Sequence, residues 1–196
     1  MELKPLDIVI ALCIGLDELV AQSDRDGIVY TKPKIVTIRD YAEFCGVSVG
    51  AVAASQKRLK SFGLISLVPN FLDSDSPEVL RLNRLGLVEF LEYGIRYYSL
   101  VERNGFGLGT PTSWTCPFVK SEMLPPDIPL VWEDPQGEIK GEFISPIHPS
   151  VVNVSQKCPP LYRVFSTIDS IRLGKPRELI IARKLLRQYL GIQDDK

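Results

Sequence analysis

Histidine is nearly missing from this 196-residue chain, which has one, and tryptophan and methionine occur twice each. A single histidine rules out a histidine-built metal centre. The four cysteines, Cys13, Cys45, Cys116 and Cys158, are scattered without CxxC or CxH spacing, so no zinc site and no other metal is expected. No apolar run reaches the roughly 18 residues that a membrane-spanning helix needs. The start, MELKPLDIVIALCIGLDE, is partly apolar but carries Asp7, Asp17 and Glu18 and has no small-residue cleavage site, so it does not read as a signal peptide. Scattered cysteines without a secretory signal fit a reducing cytosol, and a cytoplasmic location is expected. Cys13 and Cys45 read as small apolar core residues in helices. Charge of one sign is also lacking: 23 Lys and Arg face 24 Asp and Glu, a net charge of -1. That excludes a wholly basic nucleic-acid coat protein, and any such role requires local charge segregation.

What is present is ordinary globular material, 45% hydrophobic and 24% charged, enough for one to two domains with a sizeable core. Leu6, Val9, Ile10, Cys13, Leu16 and Val20 keep helical spacing, which predicts a helix over 5–21 with one buried face and Pro5 in its first turn. SDRDG at 23–27 reads as a turn. Thr37 can cap a short helix over 38–45 that Gly46 ends. Ser48 can cap another over 49–62, closed by Gly63. Residues 64–68 and 79–82 read as two paired strands around the loop PNFLDSDSP. Asn83 can cap a helix over 84–98, with Leu85, Val88, Leu91, Ile95 and Tyr98 as one stripe and Leu87, Phe90 and Tyr97 widening it. Residues 102–130, rich in glycine and proline but holding Phe106, Trp114, Phe118 and Leu124, read as an ordered connector. A small hairpin is expected around Pro135-Gln136-Gly137. Helices over 160–172 and 176–190 close the chain, with Gly174 and Pro176 between them.

Helix, short helix, tight turn, helix and two strands, in this order, describe a winged helix-turn-helix. IRDYAEFCGVSVGAVAASQKRLKSFGLI, residues 38–65, carries the pattern. Ala42 is small where the helices cross, Gly46 suits a turn of positive φ, Val47 plugs the angle, and Val52 and Leu59 return to the core. This stretch resembles the DNA-binding half of MarR-type bacterial regulators over about residues 1–82. TPTSW, GEFISPIHPSV and LYRVFSTIDSIRLGKPRE resemble the C-terminal part of a group of bacterial MarR-like helix-turn-helix proteins. The resemblance implies a prokaryotic regulator with an extended C-terminal region, and it supplies no ligand.

Fold alone does not give function, so surface chemistry must carry the DNA reading. On a helical wheel, Val52, Ser55, Gln56, Leu59 and Phe62 face inward. Gly50, Ala53, Ala54, Lys57, Arg58, Lys60 and Ser61 face outward. Ser48, Gly50, Ala51 and Ala54 are small enough for the helix to sit deep in a major groove, while offering few hydrogen bonds to bases. Lys57, Arg58 and Lys60 suit phosphates. With Thr37 at the first cap, these are the candidate DNA-binding residues. Against them stand Asp73, Asp75 and Glu78 on the wing loop, which has no Lys or Arg, and eleven acidic against nine basic residues over 1–82. The alternative is therefore a protein-interaction module, such as the antitoxin-like partner of a neighbouring enzyme.

The last helix sets Arg177, Arg183, Lys184 and Arg187 on one arc, and Leu179, Ala182, Leu185, Leu186 and Tyr189 on the other. This reads as a solvated face over a packed stripe, or as an auxiliary phosphate contact or a docking face for an acidic partner. Enzyme signals are weak. His148 lies between prolines beside Ser150 with no acid placed to orient it, GFGLGT lacks the third glycine of a dinucleotide fingerprint, and Glu133-Asp134 and Asp194-Asp195 read as solvated pairs. No catalytic residue and no cofactor are expected.

The expected fold class is predominantly α with a small β wing (α+β): a winged helix-turn-helix over 1–82, a helix and Gly/Pro-rich connector over 83–130, and a C-terminal hairpin and helical pair over 131–196. Double-stranded DNA is the expected partner. A homodimer is expected through segments outside 38–82, using Ile168, Ile171, Leu179 and Leu186, with a protein partner for the C-terminal region as a further option.

Overall fold

A computed structural model describes residues 2–17, 19–20, 30, 33–70, 78–120 and 127–192. The turn expected at 23–27, the wing tip with Asp73 and Asp75, Leu124, and Asp194-Asp195 lie outside the described residues. The architecture is α+β, with helices in the majority.

Helix α1, Pro5–Ile14, begins with proline in its first turn, and Asp7 accepts the Lys4 N–H at 2.7 Å. It ends at Gly15, and helical residues resume at 16–17 and 19–20. Every residue from Asp7 to Ile14 is buried, so the expected one-sided helix over 5–21 is corrected to a shorter one enclosed on all sides. A helix apolar around its circumference belongs at the centre of a body, and α1 is that centre.

Around it lie α2, Ile38–Cys45, and α3, Val49–Ser61, then strands β1, Ile65–Pro69, and β2, Glu78–Leu82. The strands are antiparallel, with Ile65 opposite Leu82 and Pro69 opposite Glu78. α4, Arg84–Glu89, is capped by Asn83, whose side chain accepts the Gly86 N–H, and runs through a π turn, Phe90–Gly94, into α5, Ile95–Tyr98. The wider backbone loop of a π turn disturbs the simple helical stripe. Leu87, Val88, Leu91 and Ile95 are buried, whereas Leu85 and Tyr97, assigned to the same apolar surface, stand exposed.

Two expectations fail between 103 and 144. The supposed connector contains strand β3, Arg103–Pro111, followed by a 3-10 turn, Ser113–Thr115, and α6, Pro117–Lys120. The supposed hairpin is not one: β4, Leu130–Glu133, and β5, Ile139–Ile144, pair in parallel, Leu130 with Glu142 and Val131 with Phe143. Both run antiparallel to β3, β4 beside 109–111 and β5 beside 103–109, and the three strands close on themselves. Glycine makes this closure possible. A Cβ on Gly109 would overlap the Trp132 carbonyl oxygen, and one on Gly141 would overlap that of Pro129.

α7, Ser150–Lys157, α8, Pro159–Leu173, and α9, Pro176–Tyr189, complete the chain. α7 had no counterpart among the expected elements. It reaches α2 directly, because Asn153 Nδ2 and Lys157 Nζ both donate to the Phe44 carbonyl, at 3.3 and 3.2 Å. α8 anchors the small sheet through Asp169, whose carboxylate accepts from Thr112 Oγ1 at 2.8 Å, Trp132 Nε1 at 2.7 Å and Arg172 Nη1 at 2.7 Å. Burial pushes the Asp169 carboxyl up, against the pull of Arg172 and the two other donors. One apolar cluster runs through 1–82, 83–130 and 131–196, so these segments share a core. Ile168, Ile171, Leu179 and Leu186, expected at a dimer contact, are all buried in that core.

Candidate functional site

The pair α2 and α3 is shaped by its caps. Thr37 Oγ1 accepts the Asp40 N–H at 3.2 Å, and Asp40 Oδ2 returns the favour to the N–H groups of Thr37 and Val36 at 2.7 and 2.9 Å. These donors, the Thr37 N–H first, hold the Asp40 carboxyl below its ordinary range. Gly46 ends α2 with φ at 67°, a left-handed conformation that a side chain would strain. Ser48 then caps α3, its Oγ accepting the Ala51 N–H at 3.2 Å. Thr37, Gly46 and Ser48 thus take the local roles expected of them, and each cap hydroxyl keeps its own proton free to donate.

The outward face of α3 is small and open. Ser48, Gly50, Ala53, Ala54, Lys57 and Lys60 are exposed, Ala51 is half-buried, and nothing lies within 4 Å of a Cβ built on Gly50. Val52, Ser55, Gln56 and Leu59 are buried beneath. Sequence reasoning overlooked Val49, which is 47% exposed at the head of the helix. It directly follows the cap, and this position was the available signal. No acidic side chain interrupts the helix.

Two of the inward and outward assignments are corrected. Phe62 does not face the core; it is 45% exposed at the C-cap of α3, where its N–H still bonds the Arg58 carbonyl but no further turn continues to cover it. Arg58 does not project outward. Its Nε and Nη2 donate to the two oxygens of Asp7 at 2.8 and 2.7 Å, and the Asp7 side chain is wholly buried. Arg58 therefore fastens α3 to α1 and is withdrawn from the exposed cations of the helix. The hydrogen bonds to Asp7 drive its guanidinium further toward the charged form. Lys57 and Lys60 remain.

The basic arc of α9 divides in the same way. Arg187 forms a paired contact with Glu92 at 2.6 and 2.7 Å, and Glu92 is 1% exposed. Arg183 donates to the Glu92 carbonyl at 3.0 Å and lies 4.6 Å from the Tyr93 ring centre. The π turn delivers Glu92 and Tyr93 to α9, so these two arginines serve intramolecular packing, whereas Arg177 and Lys184 stay exposed. His148 is half-buried, its Nδ1 near Ser150 Oγ at 2.8 Å, and burial lowers its pKa from the ordinary imidazole range. Among the described residues no three His, Cys, Asp or Glu side chains are grouped to hold a metal ion, and no helix is long and apolar enough to cross a membrane.

No protein-family model matches this chain, and no curated protein and no solved structure matches it either.

Proposed function

We propose that the chain is a sequence-specific DNA-binding transcriptional regulator of prokaryotic type, with α2, α3, β1 and β2 acting as a winged helix-turn-helix. The observation that carries this reading is the outer face of α3, where small residues, two exposed lysines and no acid follow a capped, left-handed turn. α3 enters the major groove by its N-terminal half. Ser48 supplies a hydroxyl donor, Val49 and Ala54 supply apolar contact for thymine methyls, and Gly50 and Ala51 permit close approach. Lys57 and Lys60 neutralise phosphates. The resemblance to MarR-type regulators rests on the pattern of residues 38–65, with Ala42, Gly46, Val47, Ser48, Val52 and Leu59 in their expected places.

One such helix holds a single half-site weakly, so the working unit is a two-fold dimer. With Ile168, Ile171, Leu179 and Leu186 buried within the chain, the contact falls to exposed apolar groups outside 38–82, chiefly Tyr93, Tyr97 and Leu100. Leu67 and Val79, 48% and 46% exposed on the two-stranded ladder, favour a second reading, in which this arm docks on a protein partner. Fluorescence anisotropy with labelled upstream duplex and a scrambled control separates the two. Saturable binding that is tighter on the upstream duplex supports the regulator. Absence of binding to either duplex at low salt supports the interaction module.

A further inference from the structure

α1 and α2 meet at two thiols. Cys13 Sγ and Cys45 Sγ lie 3.7 Å apart, and the residues are 2% and 1% exposed. A disulfide needs about 2.05 Å, so bonding asks the sulfurs to close by about 1.7 Å, a movement within reach of rotamer change and a small helix shift. The two thiols differ. The hydrogen bond from Cys13 lowers the Cys45 pKa, burial opposes it, and the nearby charge of Lys157 lowers it further. Cys13 itself is driven up by the same hydrogen bond and by burial. A cavity of about 360 Å³, lined by Phe44, Lys157, Lys34 and Asp40 among others, opens against the residue preceding Cys45 and against the lysine that favours its thiolate. Cys45 itself is covered and does not line this cavity, so a small uncharged oxidant meets its thiol when the end of α2 opens locally.

We infer that Cys13 and Cys45 form a peroxide-responsive dithiol whose oxidation ties α1 to the end of α2. The Cys45 thiolate attacks one peroxide oxygen, giving a sulfenic acid, and the departing hydroxide takes a proton to leave as water. Cys13 sulfur, losing its proton, then attacks the Cys45 sulfur and displaces the second hydroxide, which leaves as water with that proton. Two thiols are oxidised by two electrons, and one peroxide is reduced to two waters. Cys45 is the last residue of α2, and Gly46, next in the chain, makes the turn into α3. Drawing Cys45 toward α1 therefore moves the turn that sets the N-terminal half of α3, while Arg58 and Asp7 hold its far half in place. This second consequence, weaker DNA binding on oxidation, rests on the DNA-binding reading above; the dithiol chemistry does not.

The test uses reduced full-length protein exposed to hydrogen peroxide, with free thiols counted after denaturation and the products mapped as non-reduced peptides. The count falls from four to two, and the map joins Cys13 to Cys45. Cys13→Ser, lacking the resolving thiol, stops at the Cys45 sulfenic acid and forms no internal cross-link through Cys45. Four surviving thiols while glutathione in the same tube is oxidised would overturn the inference, as would a bridge through Cys116 or Cys158. The wild-type map decides this even where the variant folds poorly. In parallel, oxidised protein binds duplex at least fivefold more weakly than reduced protein, and dithiothreitol restores it. A mapped bridge with unchanged affinity would overturn the transmission to α3. A mapped bridge in a protein that binds no duplex when reduced would remove the DNA reading and leave the dithiol standing.

Discussion

Removing the Asp7 carboxylate asks the structure what Arg58 is for. Asp7 accepts three donors, Arg58 Nε and Nη2 and the Lys4 N–H, with no exposure to water. Breaking a buried ion pair from one side costs about 3–5 kcal/mol, because the survivor keeps its desolvation penalty. The Arg58 side chain is 15% exposed and can recover some water, so Asp7→Ala belongs at the low end, about 3 kcal/mol. In a chain of this length each kcal/mol moves Tm by about 2–4 °C, which gives a drop of about 6–12 °C. Arg58→Ala strands the fully buried carboxylate and costs more, about 4 kcal/mol. Asp7→Leu combined with Arg58→Met removes both charges and returns to within about 2 kcal/mol of wild type. Urea denaturation of the four proteins measures these differences, and a double variant more stable than either single variant is the signature of the buried pair. An Arg58→Ala variant as stable as wild type and impaired only in DNA binding would refute the assignment and return Arg58 to the phosphate-facing set.

Other outcomes follow from the same geometry. Ala54→Glu sets a carboxylate in the middle of the exposed face of α3 and abolishes duplex binding, while calorimetry finds Tm within about 2 °C of wild type, since exposed positions tolerate change. Gly109→Ala forces a methyl onto the Trp132 carbonyl, and loss of Trp132 fluorescence burial with a fall of more than about 3 kcal/mol in unfolding free energy is expected. Asp134 is pushed up by burial, but donors from Thr110, the Gln136 N–H and Gln156 outweigh this and leave its carboxyl below the ordinary value. Its contribution is therefore complete above the unfolded value of about 4 and fades as pH falls through the lower folded one. Asp134→Asn flattens that acid limb in a stability titration against pH, and an unchanged limb would count against the hydrogen-bonded carboxylate.

What could be read from the sequence was local. Thr37, Gly46 and Ser48 declare their caps and turn within a few residues, and α2, α3 and the β1–β2 ladder fell close to their expected bounds for that reason. What escaped depended on distant partners. Nothing near Arg58 in the chain announces Asp7, 51 residues away, and without it a lone arginine on an outward arc looks free. GFGLGT looked like a loop because its glycines are poor strand formers, yet their missing side chains are what let β3 coil against Trp132 and Phe143. α7 was hidden by Val151, Val152, Asn153 and Val154, weak helix formers that are held by packing on α2 and α8. The α9 arginines misled in the same sense as Arg58: their arc suggested a solvated face until Glu92 and Tyr93 arrived from the π turn.

That the open face of α3 holds DNA is tested most directly by the salt dependence of duplex binding in wild type and in Lys57→Ala/Lys60→Ala. Each phosphate contact contributes about 0.9 to the slope of log affinity against log salt. The double variant is expected to bind specific and scrambled duplexes more weakly by similar factors and to lose about 1.8 from that slope, with its Tm unchanged. Equal slopes and equal affinities for the two proteins would contradict the placement of DNA on this helix.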